Sequence, residues 1–382
     1  MTSRLSIAVI TCVVVTVLTV TTIGCGRPPG ASGGTRVVPS ETLVPFIRLA
    51  SVSPDERYAL VVTVQKDLTD RFSPWLSQYP PRACWLLDFR TRRIEELPIF
   101  VSPVGVVEWQ PGAARVAYNS DEAVGAYDLA TRRERIAPCP EDDVCMWPSW
   151  SPDGRSLAYS VALLSEEQRG NPKGVARVSS RLDTEPELVV TDDLSSPQAW
   201  CWTQDSDSIV YIPRVPPPGG GRSRTGARQL IPTWPGRTRK LSFSSDGSLL
   251  AVLTWEDGES PAMVIVLDKT LQRVVATSTS RVESTELIWS PTEPELLLAT
   301  ESSAEDGFEA CVFDVRDGRT TSLVQPGVES PWPVAWTVGP DGKEHLWFVA
   351  ADGQALLRSD VPPAGPTRVA AIGRDGHLRW GE

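Results

Sequence analysis

The chain has 382 residues, including 14 tryptophans, 34 prolines and 28 glycines, and its formal net charge at pH 7 is −11. Such an acidic chain is repelled by phosphate backbones, which excludes nucleic acid as its main ligand. The abundance of turn-forming residues, with no sustained apolar period of a helix, predicts many short strands and no long helices.

The composition of the N-terminus predicts a targeting sequence that is not part of the folded domain. Arg4 is followed by an uncharged, apolar or threonine-rich run from Leu5 to Ile23, so residues 1–24 are expected to be a signal peptide or membrane anchor. The end of this run, "TIGC", resembles the processing box of bacterial lipoproteins, although leucine is usual where Thr22 stands. That resemblance implies lipidation at Cys25. Ordinary cleavage, or an uncleaved span, is the alternative.

The next segment, residues 25–44, is rich in proline, glycine and serine and is expected to be a flexible tether. Under each of these alternatives for the N-terminus, the domain that follows lies outside the cytoplasm. The sequence therefore predicts an extracytoplasmic protein held at a bacterial membrane or cell envelope.

One short motif in the following domain has the form of a β-hairpin. An apolar stretch ending at Trp150 is followed by Ser151-Pro152-Asp153-Gly154 and then by a second apolar stretch to Ser160. Proline, aspartate and glycine in this order favour a tight turn, because glycine accepts the left-handed conformation at the turn exit. The motif therefore predicts strand, turn, strand.

This hairpin recurs along the chain as a diverged tandem repeat. The aligned anchor positions are Val52, Trp109, Trp150, Trp202, Phe243, Trp289 and Trp336. Their mean spacing is about 47 residues, and similar turns contain Asp246-Gly247 and Asp341-Gly342. Several repeats continue with two further strands, and a four-stranded repeat of this length predicts an all-β propeller over residues 45–375. Seven four-stranded blades fit the hairpins, six or eight remain open, and residues 376–382 are expected to be a tail.

The segment from Trp150 to Tyr159 resembles the WD-like propeller repeat of TolB-type bacterial proteins, which also builds the propeller of prolyl-oligopeptidase-like hydrolases. The resemblance implies the propeller fold and a habit of binding partners, but not one activity. Propeller rings usually close by combining strands from both chain ends in one blade, so residues near 36–50 are expected in the same sheet as residues near 367–373.

The cysteines divide into two groups by their surroundings. Cys139 and Cys145 flank a short acidic loop and are expected to form a disulfide in an oxidising compartment, with two free thiols as the alternative. Cys84, Cys201 and Cys311 lie in apolar strands and are expected in the core.

One segment differs in charge from the rest of the chain. The range Arg214–Lys240 holds seven basic and no acidic residues, and its proline and glycine content predicts an insertion without a packed core. A solvated insertion is one interpretation, and a contact for an acidic partner or anionic membrane surface is the other. The candidate contact residues are Arg222, Arg224, Arg228, Arg237, Arg239 and Lys240.

The sequence offers no catalytic constellation, cofactor motif or metal site. His345 and His377 are the two histidines, and neither has the context of a catalytic triad or a zinc ligand. Paired acids such as Asp142-Asp143 are expected to be solvated loop charges. The prediction is a monomeric, membrane-tethered propeller that binds a protein or acts as a scaffold. A channel-site hydrolase or lactonase with a bound cation, and a sensory ectodomain of a single-pass membrane protein, are the alternatives.

Overall fold

The computed structural model describes residues 43–67, 83–102, 105–120, 123–139, 143–163, 172–191, 194–196, 198–214, 227–229, 237–255, 262–278, 281–282, 286–301, 308–323, 331–361, 366–373 and 375–381. Within these ranges all regular secondary structure is β-strand, in seven consecutive sheets numbered here in chain order. No helix in the described ranges has the length and apolar character that a membrane crossing requires.

The first three sheets have four strands each. Sheet 1 contains β1 (Leu43–Val52), β2 (Tyr58–Asp67), β3 (Ala83–Asp88) and β4 (Arg93–Leu97). Sheet 2 contains β5 (Val107–Trp109), β6 (Arg115–Asn119), β7 (Val124–Asp128) and β8 (Arg133–Ile136). Sheet 3 contains β9 (Asp143–Trp150), β10 (Ser156–Leu163), β11 (Pro172–Ser179) and β12 (Glu187–Val190).

The remaining sheets vary in strand number. Sheet 4 contains β13 (Trp200–Trp202), β14 (Ile209–Tyr211) and β15 (Ala227–Gln229). Sheet 5 contains β16 (Arg237–Phe243), β17 (Leu249–Trp255), β18 (Ala262–Asp268) and β19 (Val274–Thr277). Sheet 6 contains β20 (Ile288–Trp289), β21 (Glu295–Glu301), β22 (Phe308–Asp314) and β23 (Arg319–Ser322). Sheet 7 contains β24 (Trp332–Val338), β25 (Glu344–Val349), β26 (Ala355–Asp360), β27 (Thr367–Ile372) and β28 (Leu378–Trp380).

This arrangement is the β-propeller that the repeats predict, with one irregular position. Six of the sheets have the four or five strands of a complete blade. Sheet 4 has three strands within the described residues, and its last strand, β15, pairs in parallel with β14. Sheet 4 therefore departs from the predicted four-stranded meander at the repeat that the basic segment interrupts.

The predicted hairpin turns are held by a repeated hydroxyl–carboxylate pair. In sheet 3, Ser151 Oγ donates to Asp153 Oδ1 at 2.6 Å and accepts the N–H of Ser156 at 3.0 Å. The hydrogen bond from Ser151 is the main reason that the pKa of Asp153 is lowered. The same donation to an aspartate two residues later occurs at Ser53, Thr203 and Ser244. The residue after the aspartate has positive φ in each case: Glu56, Gly154, Ser206 and Gly247.

Apolar clusters between neighbouring sheets hold the ring together. Each of the seven clusters draws its buried side chains from two consecutive sheets, and one of them joins sheet 7 to sheet 1. Trp347 and Leu87 in that cluster are 1 % and 0 % exposed. Burying one large apolar side chain contributes about 1.5–3 kcal/mol, so the clusters provide the main force that closes the ring.

Two anchor tryptophans add hydrogen bonds between the innermost strands. Trp202 Nε1 donates to Ser149 O at 3.1 Å, and Trp289 Nε1 donates to Ser242 O at 3.0 Å. In both cases the acceptor belongs to the preceding sheet and lies one residue before its anchor. An innermost strand has no neighbouring strand on its channel side, so the carbonyl groups on that edge need other donors. The two tryptophan side chains supply such donors.

The predicted mode of ring closure is wrong. β1 belongs to sheet 1 and β27 to sheet 7, so the two chain ends do not share a sheet. The sheets are instead adjacent and joined by Ile47 N–H to Gly353 O at 2.7 Å and Gln354 Nε2 to Pro45 O at 2.7 Å. Residues 378–380, expected to be a tail, form β28, which lies against β4 of sheet 1. This extra outer strand covers apolar surface at the joint.

The expectation that Arg214–Lys240 lacks packed structure is also wrong for its end. Residues 237–240 begin β16, the innermost strand of sheet 5, and residues 227–229 form β15. Thr238 in this strand is 2 % exposed. Deleting the whole range would therefore remove β15 and the first four residues of the innermost strand β16.

The joint between sheets 1 and 7 contains a buried polar network centred on Glu56. His345 Nδ1–H donates to Glu56 Oε1 at 2.7 Å, and Trp347 Nε1 donates to the same oxygen at 3.2 Å. The hydroxyl of Thr337 also donates to it. The side chains of Glu56 and His345 are 2 % and 3 % exposed. Glu56 thus occupies, with φ of 52°, the turn position that is Gly154 in sheet 3 and Gly247 in sheet 5. Its side chain accepts hydrogen bonds from sheet 7.

We expect Glu56→Ala to lower the free energy of unfolding by about 3–5 kcal/mol, because three buried donors lose their acceptor. Glu56→Gly removes the same side chain and is the variant to compare with Glu56→Ala. Glycine adopts positive φ without strain, so Glu56→Gly should recover about 1 kcal/mol of the lost free energy of unfolding. Urea unfolding measures both. A Glu56→Gly protein that is more stable than the wild type would contradict the network's role.

Candidate functional site: the central channel

The first strand of each sheet is the innermost one and lies next to the axis of the ring. These strands are β1, β5, β9, β13, β16, β20 and β24. Three charged side chains on or beside these strands interact: Glu108 in β5, Lys240 in β16 and Glu286 just before β20. They come from sheets 2, 5 and 6 and are called the channel cluster below.

Glu108 is the member whose protonation is most altered. Burial raises its pKa to about 7, and this effect outweighs the opposing hydrogen bonds and the attraction of Lys240. The N–H of Trp150 donates to Glu108 Oε2 at 3.0 Å, which joins sheet 2 to sheet 3. A carboxyl group that titrates near neutrality can exchange a proton under physiological conditions, a property that is common at functional sites.

Lys240 and Glu286 form the second part of the channel cluster. Lys240 Nζ is in direct contact with Glu286 Oε2, and the two side chains are 18 % and 41 % exposed. Lys240 lowers the pKa of Glu108 and Glu286 raises it, so the three groups share one electrostatic environment. The cluster can bind a ligand with both charged and hydrogen-bonding groups, and it can move a proton through Glu108.

The channel wall in sheet 3 contains a strained aromatic residue. Trp147 has φ of 58° and lies in an irregularity of the β9–β10 pairing, where Ser160 faces Met146 and Ala158 faces Ser149. Its backbone N–H donates to the Oδ1 of Asn119 at 3.1 Å. Positive φ costs on the order of 1 kcal/mol or more for a bulky residue, so neighbouring contacts must hold Trp147 in place.

The disulfide between Cys139 and Cys145 links the start of β9 to the segment before it. Cys145 is two residues from Trp147 and is 1 % exposed. The crosslink therefore restrains the part of β9 that carries the strained tryptophan. Asp143, expected to be a solvated loop charge, instead has a side chain that is 1 % exposed and forms an ion pair with Lys173 at 2.8 Å.

The predicted basic contact residues do not form one surface in the described structure. Arg222 and Arg224 lie outside the described residues, and Arg228 is in β15. Arg237 is exposed, whereas Arg239 lies over the ring of Trp255 at 4.8 Å. Lys240 belongs to the channel cluster. Cys25 and the whole range 1–42 also lie outside the described residues.

The remaining cysteines and histidines have structural surroundings. Cys84 and Cys311 are buried and Cys201 is partly buried, and burial raises the pKa of all three thiols, that of Cys311 to about 11. His377 packs edge-on against Trp85 with ring centroids 5.5 Å apart. No group of three or more His, Cys, Asp or Glu side chains in the described ranges is arranged to hold a metal ion.

Glu108 and Glu286 were not predicted from the sequence as site residues, although the sequence contains a signal for Glu108. The residue before each anchor is Ser51, Glu108, Ser149, Cys201, Ser242, Ile288 or Ala335. Glu108 is the one charged residue in this column, at a position that the alternation of an innermost strand places beside the channel. Glu286 precedes its strand and carries no comparable signal.

Comparison with solved structures identifies the class of protein as a β-propeller. An oligogalacturonate lyase from Vibrio parahaemolyticus superposes with a TM-score of 0.53 at 12 % identity, covering 89 % of this chain and 93 % of that one. An oligogalacturonate lyase in complex with manganese gives a TM-score of 0.51 at 14 % identity, covering 80 % and 86 %. Sqt1 from Chaetomium thermophilum gives 0.52 at 13 % identity, covering 88 % and 87 %.

These likenesses establish the fold and nothing finer, because enzymes and non-enzymes share propellers. No protein-family model and no curated protein sequence matches this chain.

We expect the stability of the protein to fall as pH rises from about 4.5 to about 7, relative to a Glu108→Gln variant. The folded pKa of Glu108 is raised, so the protonated form stabilises the fold below the unfolded pKa, and this contribution is lost as pH passes through the folded pKa. The loss is on the order of 2–3 kcal/mol. Thermal melting of both proteins across this range measures it. If the melting temperatures of wild type and Glu108→Gln change with pH in the same way, the pKa of Glu108 is not raised.

Proposed function

We propose that this chain is an extracytoplasmic β-propeller, tethered to a bacterial membrane through lipidated Cys25, that binds a partner protein at the mouth of its channel. The mouth is the end of the ring where the innermost strands begin. The observation that carries the proposal is Trp147, a large aromatic side chain held at positive φ on the channel wall.

Strained residues that persist in a fold must be held by their surroundings, and they cluster at binding sites. Trp147 is held from two sides, by the hydrogen bond to Asn119 and by the disulfide at Cys145. The side chain is half-buried, and its indole nitrogen is buried without a hydrogen-bond acceptor among the described residues. Tryptophans are preferred anchors in protein interfaces, because they bury a large area at little entropic cost.

Two observations support the extracytoplasmic location. Disulfides form and persist in oxidising compartments, and Cys139–Cys145 braces the site itself. The apolar run that ends at Gly24-Cys25 supports the lipid tether, and the segment after Cys25 has the composition of a flexible linker. The TolB-like motif around Trp150 is consistent with a propeller that serves as a partner-binding module in the cell envelope.

A channel enzyme is the second candidate, and the observation that favours it is the pKa of Glu108, raised to about 7 beside Lys240. A carboxyl with that pKa is suited to general acid–base catalysis. Hydrolysis of an ester or a lactone in the channel would need such a group. Under this candidate, Glu108→Gln abolishes turnover while leaving partner capture unchanged.

We expect Trp147→Ala to weaken partner capture by at least about tenfold, as is typical of an anchor in a hot spot. Purified protein immobilised through its C-terminus would capture partners from solubilised envelope membranes, with quantification by mass spectrometry. The control is Ile136→Ala, which removes a 51 % exposed apolar side chain from outer strand β8. Equal capture by wild type and both variants would contradict a binding role for Trp147.

We expect Cys25→Ala to abolish acyl labelling and to leave an unprocessed precursor, because the thiol is the attachment point of the lipid. Metabolic labelling with an alkyne fatty acid and gel mobility measure this. Cys201→Ala is the control, since that thiol lies in an innermost strand. Unchanged labelling and mobility would instead favour a retained span over Leu5–Ile23 and the sensory-ectodomain alternative.

A further inference from the structure

A cleft on the other end of the ring is lined by four arginines. It lies between sheet 2 and the turn that joins β11 to β12 in sheet 3, and its volume is about 270 Å³. Arg115, Arg133 and Arg135 come from sheet 2, and Arg181 comes from the turn. Asp128 and Thr131 complete the lining. This group is called the arginine cleft.

The protein offsets only part of the positive charge of the cleft, through the carboxylate of Asp128. None of its four guanidinium groups forms an ion pair within the part of the chain that the structure describes. The carboxylate of Asp128 accepts the N–H of Thr131 at 2.8 Å, which caps its own turn. Four cations and one anion leave a formal charge of +3 on a chain whose net charge is −11.

Arginines in the corresponding turns of sheets 5 and 6 are paired. Arg273 lies 3.2 Å from Asp268 in sheet 5, and Arg316 lies 2.9 Å from Asp314 in sheet 6. In sheet 2, Arg132 of this turn pairs with Glu95 of sheet 1 at 2.8 Å, whereas Arg133 forms no ion pair within the described residues. Mutual repulsion among the four arginines of the cleft is unfavourable, and a bound anion would relieve it.

Arg115 is fixed at the base of the cleft. Its Nη1 donates to the backbone carbonyl of Ser180, and its guanidinium lies over the ring of Trp150 at 5.5 Å. Its Nε is buried and has no hydrogen-bond partner among the described residues. Burial lowers the pKa of the Arg115 guanidinium; the carboxylate of Asp128 opposes this effect, and the positive charge of Arg135 adds to it.

Arg135 fixes the opposite wall. Its Nη1 donates to Arg181 O at 2.6 Å, which ties sheet 2 to the turn of sheet 3. The side chains of Arg133 and Arg181 are exposed and form no bond within the described residues, so they are free to close over a ligand. Two fixed and two adaptable guanidinium groups suit a tetrahedral oxyanion, because planar forks bind its oxygens in pairs.

We propose that the arginine cleft binds a soluble ligand through a tetrahedral oxyanion, a phosphoryl or sulfonyl group. The volume of about 270 Å³ would hold about nine waters at about 30 Å³ each, which is room for such a group and part of its substituent. β1 begins at the mouth, so the arginine cleft lies at the end of the ring opposite the point where the expected tether would join. This position favours a soluble ligand over a lipid headgroup.

The test is calorimetric titration of the full chain with inorganic pyrophosphate at low salt. The wild type should bind with one site per chain. The variant Arg133→Gln/Arg135→Gln/Arg181→Gln should bind at least about tenfold more weakly, since it loses three charge-assisted contacts. The control Arg273→Gln/Arg319→Gln/Arg379→Gln removes the same charge from exposed arginines elsewhere and should stay within about twofold of the wild type.

The alternatives give distinct results. The double variant Arg133→Glu/Arg181→Glu changes only side chains without bonds in the described structure, so a folded protein that still binds pyrophosphate overturns the proposal. Equal loss in the control variant would mean unspecific attraction to positive charge and also overturns it. Sedimentation with phosphatidylglycerol vesicles that depends on the cleft, without pyrophosphate binding, would assign a lipid headgroup instead. None of these outcomes depends on Trp147 or on lipidation of Cys25.

Discussion

Residues that are 289 positions apart in the sequence meet where sheet 7 packs against sheet 1, through His345 and Glu56. Every other joint in the ring connects sheets that are neighbours along the chain, whereas this one closes a loop almost as long as the protein. Its apolar cluster provides the main attraction, and the buried network supplies direction, because hydrogen bonds to one carboxylate fix the angle between two sheets.

The channel cluster is a consequence of this closure. Glu108, Lys240 and Glu286 interact because the ring brings three innermost strands around one axis. The narrow, partly buried interior explains why the pKa of Glu108 is raised to about 7 although a lysine lies near it. At the mouth, the disulfide and Asn119 maintain a strained tryptophan. The proposed binding surface therefore lies on a restrained part of the channel wall.

The two ends of the ring differ in chemistry. The mouth presents a restrained aromatic side chain near the expected membrane tether, and the opposite end presents uncompensated guanidinium groups between sheets 2 and 3. A propeller can separate these surfaces, because every strand of a sheet runs from one end of the ring to the other. An aromatic anchor and an oxyanion site can then act on different ligands without sharing residues.

The sequence by itself determined the repeat, because anchors such as Trp150 and turns such as Ser151–Gly154 depend on local chemistry that recurs about every 47 residues. It also indicated the propeller fold and the irregular fourth repeat. Only the tertiary structure shows which sheets close the ring. It also shows that residues 378–380 form β28, the fifth strand of sheet 7. It likewise decided that Glu56 binds His345, and that Glu108 lies near Lys240. The physical reason is that local propensities act over a few residues, whereas closure and the pKa of a buried carboxyl depend on groups that only the complete ring brings together.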